Sequence, residues 1–238
     1  MKALKELNRQ ADTVRARVLG AAKGFFNGLL LYGPPGVGKS HLVEQTLKNN
    51  GLDWVDAPKG ITPQGLLDFF VEHGSEIMLF DDVAELFACE RGRKYLMAAT
   101  GNRPDQTKPR TISYQKGDET INAVVSGCII ILTNDEKCPK AFASRIPVLE
   151  YAPGREQVAA LMREIVKNGV VRDKWQLSGE ECLLVVEFLV RTASDLGVRL
   201  DLRDLIEKAL PDYAMWKHGL FPCHWTKMAR LHLVGKVG

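Results

Sequence analysis

No stretch of this chain approaches the ~20 consecutive apolar residues that a membrane-spanning helix needs, so a bilayer-embedded protein is not expected. Nor does the start, Met1-Lys2-Ala3-Leu4-Lys5-Glu6, carry the apolar h-region of a secretory signal. Cytoplasm is the expected compartment. Cysteine is sparse and scattered: Cys89, Cys128, Cys138, Cys182 and Cys223 include no CxxC pair, which argues against a disulfide framework and for reduced thiols. His218, Cys223, His224 and His232 lack a zinc spacing, so no structural metal is expected there. Charge of one sign is lacking as well: 32 basic against 29 acidic residues leave a net +3, too little to announce a nucleic-acid protein by itself. Repeats and low-complexity tracts are absent. What is present is 238 residues, 45% hydrophobic, enough to bury the core of one large domain or of a large and a small one.

Local patterning divides the chain into two parts. Residues 2–20 read as a helix, and short apolar runs at 29–32, 52–55, 77–80, 128–132 and 146–151 alternate with helical stretches at 39–49, 62–73 and 83–98. Near-continuous apolar strands separated by helices indicate a parallel sheet buried on both faces. From Gly154 onward strands are not expected; helices are, at about 155–168, 179–196 and 201–217, with Asn168-Gly169 and Leu196-Gly197 as C-caps. The domain boundary is expected at Ala152-Pro153-Gly154, giving an α/β core over 1–152 and a helical domain with a basic tail over 153–238.

Between the first strand and its helix lies Gly33-Pro34-Pro35-Gly36-Val37-Gly38-Lys39-Ser40, followed by His41. Glycines at these spacings let backbone N–H groups close around phosphates. A lysine supplies a mobile cation to the β and γ phosphates, and the hydroxyl that follows can ligate Mg²⁺. A nucleoside triphosphate and Mg²⁺ are therefore the expected ligands. The run Ile77-Met78-Leu79-Phe80 then ends in Asp81-Asp82, which puts two carboxylates at the carboxyl edge of the sheet. Asp81 is the candidate for the Mg²⁺ shell, and Asp82 for orienting or deprotonating the attacking water. Ile129-Ile130-Ile131-Leu132-Thr133-Asn134 is another buried strand, ending in an amide that could reach the γ-phosphate or the water. Ala143-Ser144-Arg145 comes just before the last strand.

In this ordered set, over roughly residues 20–210, the chain resembles the AAA+ ATPases. The resemblance implies a parallel-sheet P-loop core with a C-terminal α-helical lid, makes the nucleotide ATP, and assigns roles. Lys39 and Ser40 match Walker A, Asp81 and Asp82 Walker B, Asn134 sensor 1 and Arg145 the arginine finger. Arg203 matches the lid's sensor 2, with Arg199 as substitute. The usual Walker B ending is Asp-Glu; the shorter Asp82 implies slow hydrolysis. Simpler readings are a surface cation capping a helix for Arg145 and an ordinary amphipathic-helix arginine for Arg203, beside Asp201, Asp204 and Glu207.

A finger acts in trans, so the resemblance further implies a homo-oligomeric ring or spiral, usually of six subunits. Residues 110–125 read as a β-hairpin around Lys116-Gly117-Asp118. This resembles the hairpin that one AAA+ branch carries before sensor 1 and aims at the pore, where Lys116 would meet a nucleic-acid backbone; a solvated surface hairpin is the alternative. Asp56 to Pro63 stands where a first pore loop is expected, without the aromatic-apolar-Gly signature of polypeptide-gripping rings. Lys59 there favours nucleic acid, while Thr62-Pro63 equally reads as a helix N-cap and first turn. The tail from Tyr213 interleaves Lys217, Lys227, Arg230 and Lys236 with Trp216, Phe221 and Trp225. It reads either as a nucleic-acid or partner surface or as the packing of the lid. Three functions follow: a nucleic-acid remodeller of helicase, loader or mobile-element type, a protein-remodelling chaperone, and a slow ATP-dependent switch that recruits a protein partner to the lid or tail.

Overall fold

The computed structural model describes residues 2–82, 84–101, 109–116, 118–134 and 140–236. Two compact units emerge, one formed by Gln10–Pro34 and Gly38–Ala152, the other by Met1–Arg9, Pro35–Val37 and Pro153–Gly238. Helix α1 (Lys2–Ala22) contributes to both.

In the first unit, β1 (Gly28–Tyr32), α2 (Lys39–Asn49), β2 (Val55–Asp56), α3 (Pro63–His73) and β3 (Ile77–Asp81) alternate. Then come α4 (Ala84–Ala88), α5 (Glu90–Thr100), the hairpin β4 (Arg110–Lys116) and β5 (Glu119–Val125), β6 (Cys128–Thr133), α6 (Lys140–Ala143) and β7 (Val148–Glu150). A single parallel sheet runs in the order β2-β3-β6-β1-β7. Its three central strands are apolar along their middles, where Leu29 to Leu31, Met78 to Phe80 and Ile129 to Ile131 are buried; such runs are stable only with both faces covered. The edge strands β2 and β7 are shorter than the runs at 52–55 and 146–151 suggest, and among the described residues each pairs on one side. Register fixes the site: Tyr32 pairs with Thr133, and Asp81 with Leu132. The chain segments that leave β1, β3 and β6 therefore emerge side by side.

The helix expected over 83–98 is two helices. Cys89 takes an extended backbone and caps α5, while Phe87, at the end of α4, packs edge-on against Phe142 at 5.2 Å. Core contact outweighs helical continuity there. Thr62 caps α3 through its hydroxyl, which accepts from the Gly65 N–H at 3.1 Å, with Pro63 at the first helical position.

The second unit holds α7 (Arg155–Val166), α8 (Gly179–Asp195), a π-helical turn over Asp204–Ala209, α9 (Leu210–Lys217) and α10 (Trp225–Val234). Ser178 and Glu181 close a capping box on α8. The π turn ends two residues before Pro211, which has no N–H to give to the Glu207 carbonyl and cannot sustain a regular α ladder. Strands do occur after Gly154: β8 (Val170–Arg172) and β9 (Trp175–Leu177) pair antiparallel. With three residues each, their alternation is too short to stand out from a loop. The basic tail contains α10, and Trp225 is buried at 2% exposure against Phe188 and Tyr213, with ring centroids at 4.9 and 5.3 Å. That ring packs the helical unit and is no open stacking platform.

Candidate nucleotide site

Strand β1 delivers the chain into the glycine-rich loop, where the Gly33 N–H donates to the Thr133 carbonyl at 3.2 Å. Gly38, at φ 88°, takes the left-handed conformation that only glycine adopts without cost, and it starts α2 directly at Lys39. Lys39 is buried at 6% exposure. Its ammonium donates to the carbonyls of Gly33 at 2.7 Å and Pro34 at 2.8 Å, and to Asn134 Oδ1 at 2.9 Å. These three bonds hold the ammonium at the mouth of the loop. The contact also joins the end of β6 to the loop after β1, bringing together two residues far apart in sequence.

Beside it, the Ser40 hydroxyl donates to Asp81 Oδ2 at 2.8 Å. A hydroxyl and a carboxylate are hard oxygen donors of the kind Mg²⁺ selects, and they suit that ion. Asp82 follows, exposed, at φ 63°, the one non-glycine residue with positive φ among the described residues. Its N–H donates to the Leu132 carbonyl at 3.1 Å, which anchors the strained turn to β6. His41 is exposed in the first turn of α2. Sequence reasoning missed Glu44, one turn beyond Ser40. Burial first, then Asp56 and Asp81, push its carboxyl above the ordinary range, with His41 opposing. The signal was its i,i+4 spacing from Ser40 together with Asp56 at the end of a neighbouring strand.

Pro35, Gly36 and buried Val37 belong to the helical unit. The Leu202 N–H donates to the Gly36 carbonyl at 2.9 Å, and the Arg199 guanidinium donates to the Pro35 carbonyl. Gly36 has φ 69°, and a Cβ placed on it would fall 1.8 Å from Asp201 Oδ1, so both backbone and space require glycine. Arg203 is exposed and contributes its backbone N–H to Asp201 Oδ1 at 2.8 Å. Of the two lid arginines considered, Arg199 is therefore the one bonded to the loop. Burial lowers its pKa, with Asp201 and Asp204 opposing. Lys236, not singled out from sequence beyond its charge, joins Pro35, Val198, Arg199 and Asp201 around a cleft of ≈ 610 Å³ and pairs with buried Asp204, which also accepts from Lys208 at 3.0 Å.

Arg145 follows α6, half-buried, and Nη1 donates to the Ala141 carbonyl at 2.7 Å. It is not among the partners of Lys39, Ser40 or Asp81. Lys59 is exposed in the turn before α3. The expected hairpin forms, with Lys116 paired in register to Glu119; the Lys116 side chain and Gly117 lie outside the described residues. Its inner half is anchored, since Ile112, Tyr114, Ala123 and Val125 join the core and the Tyr114 hydroxyl donates to Asp68 of α3 at 3.1 Å.

No protein-family model and no curated protein matches the sequence. Solved structures do match. A RuvB variant from Thermotoga maritima superposes with a TM-score of 0.52 at 13% identity, covering 98% of this chain and 68% of that one. A second RuvB variant from the same organism gives 0.56 at 11% identity, over 96% and 68%. The chain has the RuvB fold. Its parallel five-stranded sheet with flanking helices, followed by C-terminal helices, is the α/β fold class expected from the sequence. No helix among the described residues is long and apolar enough to cross a membrane.

Proposed function

We propose that this protein is an AAA+ ATPase that works as a homo-oligomeric ring or spiral, of six subunits, on nucleic acid in the cytoplasm. The observation that carries the ATPase reading is the convergence of Lys39 on Asn134 beside the Ser40–Asp81 hydrogen bond. Four residues from three strand ends meet where a triphosphate needs a cation, a metal-ligating pair and an amide. In this reading the loop N–H groups and Lys39 bind the β and γ phosphates of ATP, and Ser40 and Asp81 hold Mg²⁺. Held there, the ion would supply positive charge against the phosphates. Asp82 orients the attacking water or takes its proton. Asn134, whose Oδ1 accepts from Lys39, keeps its amide N–H₂ for a phosphate oxygen or that water. Arg145 serves the pocket of a neighbouring subunit, and Arg199 or Arg203 couples the lid to the nucleotide.

Nucleic acid as substrate rests on Lys59 and Lys116 and on the hairpin before β6. A second reading, a slow ATP-dependent switch that recruits a protein partner to the lid or tail, is favoured by the short carboxylate of Asp82 on its strained turn and by the exposure of Leu220 and Leu231. Measuring ATP turnover alone, with single-stranded DNA, with duplex DNA and with an unfolded protein separates the readings. Stimulation by DNA alone supports the remodeller. Stimulation by none favours the switch, and stimulation by the unfolded protein alone contradicts both.

A further inference from the structure

A second cationic cleft, of ≈ 590 Å³, is lined by Lys94, Met97, Ala98, Gly101, Arg110, Ser144 and Arg145. None of Lys39, Ser40, Asp81 or Asn134 is among these, so the cleft is distinct from the chain's own phosphate loop. Three of its lining side chains are cations, and no described lining residue is an acid.

Arg110 gives the cleft its character. Its guanidinium is buried at 6% exposure and donates to three carbonyls, those of Val125 at 3.1 Å, Asn27 at 3.3 Å and Gly127. Burial lowers its pKa, and guanidinium groups keep their charge in proteins. A buried cation satisfied by dipoles, with no carboxylate beside it among the described residues, leaves a positive field that an anion would relieve. Lys94, on α5, holds Glu90 at 2.7 Å in a pair whose side chains are 71% and 70% exposed, an engagement weak enough to exchange. Arg145 is tied only to a carbonyl of its own turn in the bonds described above. Concave convergence of three cations suits a compact polyanion, whereas a strand backbone calls for a row of contacts along a surface.

We propose that this cleft receives the phosphates of a nucleotide bound by a second copy of the chain, with Lys94 a second trans-acting cation beside Arg145 and Arg110 supplying a fixed charge behind both. The proposal rests on the reading of Arg145 as a trans finger. Lys94 would replace Glu90 by phosphate oxygens at the interface, so that each active site draws cations from two subunits.

The test is a doping experiment. Wild-type protein is mixed with excess Lys39→Ala subunits, which cannot use their own pocket but still present their cleft, and hydrolysis per wild-type pocket is recorded. Dopants carrying Lys39→Ala with Lys94→Ala should lower that rate, on the order of a hundredfold for one lost transition-state contact. Lys39→Ala with Arg145→Ala should lower it further, and Lys94→Arg in place of Lys94→Ala should restore it. Calorimetric titration of the Lys39→Ala protein with inorganic tripolyphosphate supplies a readout free of catalysis: Lys94→Ala should weaken binding about tenfold, the scale of one charged hydrogen bond. If the Arg145 dopant slows the wild-type pockets and the Lys94 dopant does not, the finger reading stands and this inference fails. If neither slows them, the finger reading itself fails. Unchanged tripolyphosphate binding together with weakened duplex-DNA binding in Lys94→Ala would make the cleft a nucleic-acid contact and overturn the proposal.

Discussion

Asp82 offers the sharpest separation of backbone from chemistry, because its side chain is the candidate base and its backbone sits at φ 63°. A non-glycine residue in the left-handed region costs about 1–2 kcal/mol, less for Asp and Asn, whose short polar side chains hydrogen-bond locally. Replacement by glycine should therefore raise stability by up to about 1 kcal/mol, and replacement by alanine should lower it by about as much. Asp82→Asn, which tolerates the same φ and keeps the volume, should leave stability nearly unchanged. At roughly 2–4 °C per kcal/mol for a chain of this size, the Gly and Ala variants should melt on opposite sides of wild type and several degrees apart. Turnover should follow a different order. All three variants remove the carboxylate and should lose about 10²–10⁴-fold in single-turnover hydrolysis while retaining ATP affinity. Thermal melts paired with single-turnover rates check both halves. A full rate in Asp82→Asn would refute the assignment of the base, and a Gly variant melting below wild type would refute the strain argument.

Further outcomes are expected elsewhere. Lys59→Ala and Lys116→Ala should each weaken DNA binding and flatten its log–log salt dependence by about one unit without changing basal hydrolysis, as filter binding across salt concentrations would report; unchanged slopes in both remove the pore assignment. Glu44 has a folded-state pKa raised chiefly by burial, so its stabilising contribution is complete below the unfolded value and is lost as pH rises through the folded one. Glu44→Gln should consequently melt above wild type at pH 7 and with it near pH 4. Cys128, whose thiol burial pushes to about 12, should resist alkylation at pH 8 in the native protein while the partly exposed Cys89 and Cys223 react; fast native labelling of Cys128 by mass spectrometry would contradict its place in β6.

The core was legible because its strands are nearly uniform apolar runs and its loop has a composition that few other structures need. Lys39, Ser40, Asp81 and Asn134 stand out as candidates in the sequence since each directly ends a run or follows a glycine turn. Their mutual contacts required the register that sets β1, β3 and β6 level. The break at Cys89 was hidden, because nothing in Ala84 to Thr100 forbids one helix and the demand comes from Phe87 against Phe142. Likewise β8 and β9 are too brief for periodicity to register, and α10 was masked by a basic, aromatic composition that also suits a binding tail. Arg199 and Arg203 lie four apart on a segment rich in acids, and only the hydrogen bond to Pro35 distinguishes them. Glu44 was missed, and Lys236 stood out only as a tail cation, for a related reason: their significance lies in neighbours that are distant in sequence.

Isothermal titration of the wild-type protein and of Lys39→Ala with ATP, each with Mg²⁺ and with EDTA, tests the nucleotide site most directly. Lys39 bridges the loop carbonyls and Asn134, so wild type should bind ATP with one site per chain, and more tightly with Mg²⁺, through Ser40 and Asp81. Lys39→Ala should lose the binding heat under both conditions. Absence of ATP binding by the folded wild type, or equal affinity in Lys39→Ala, would contradict the account.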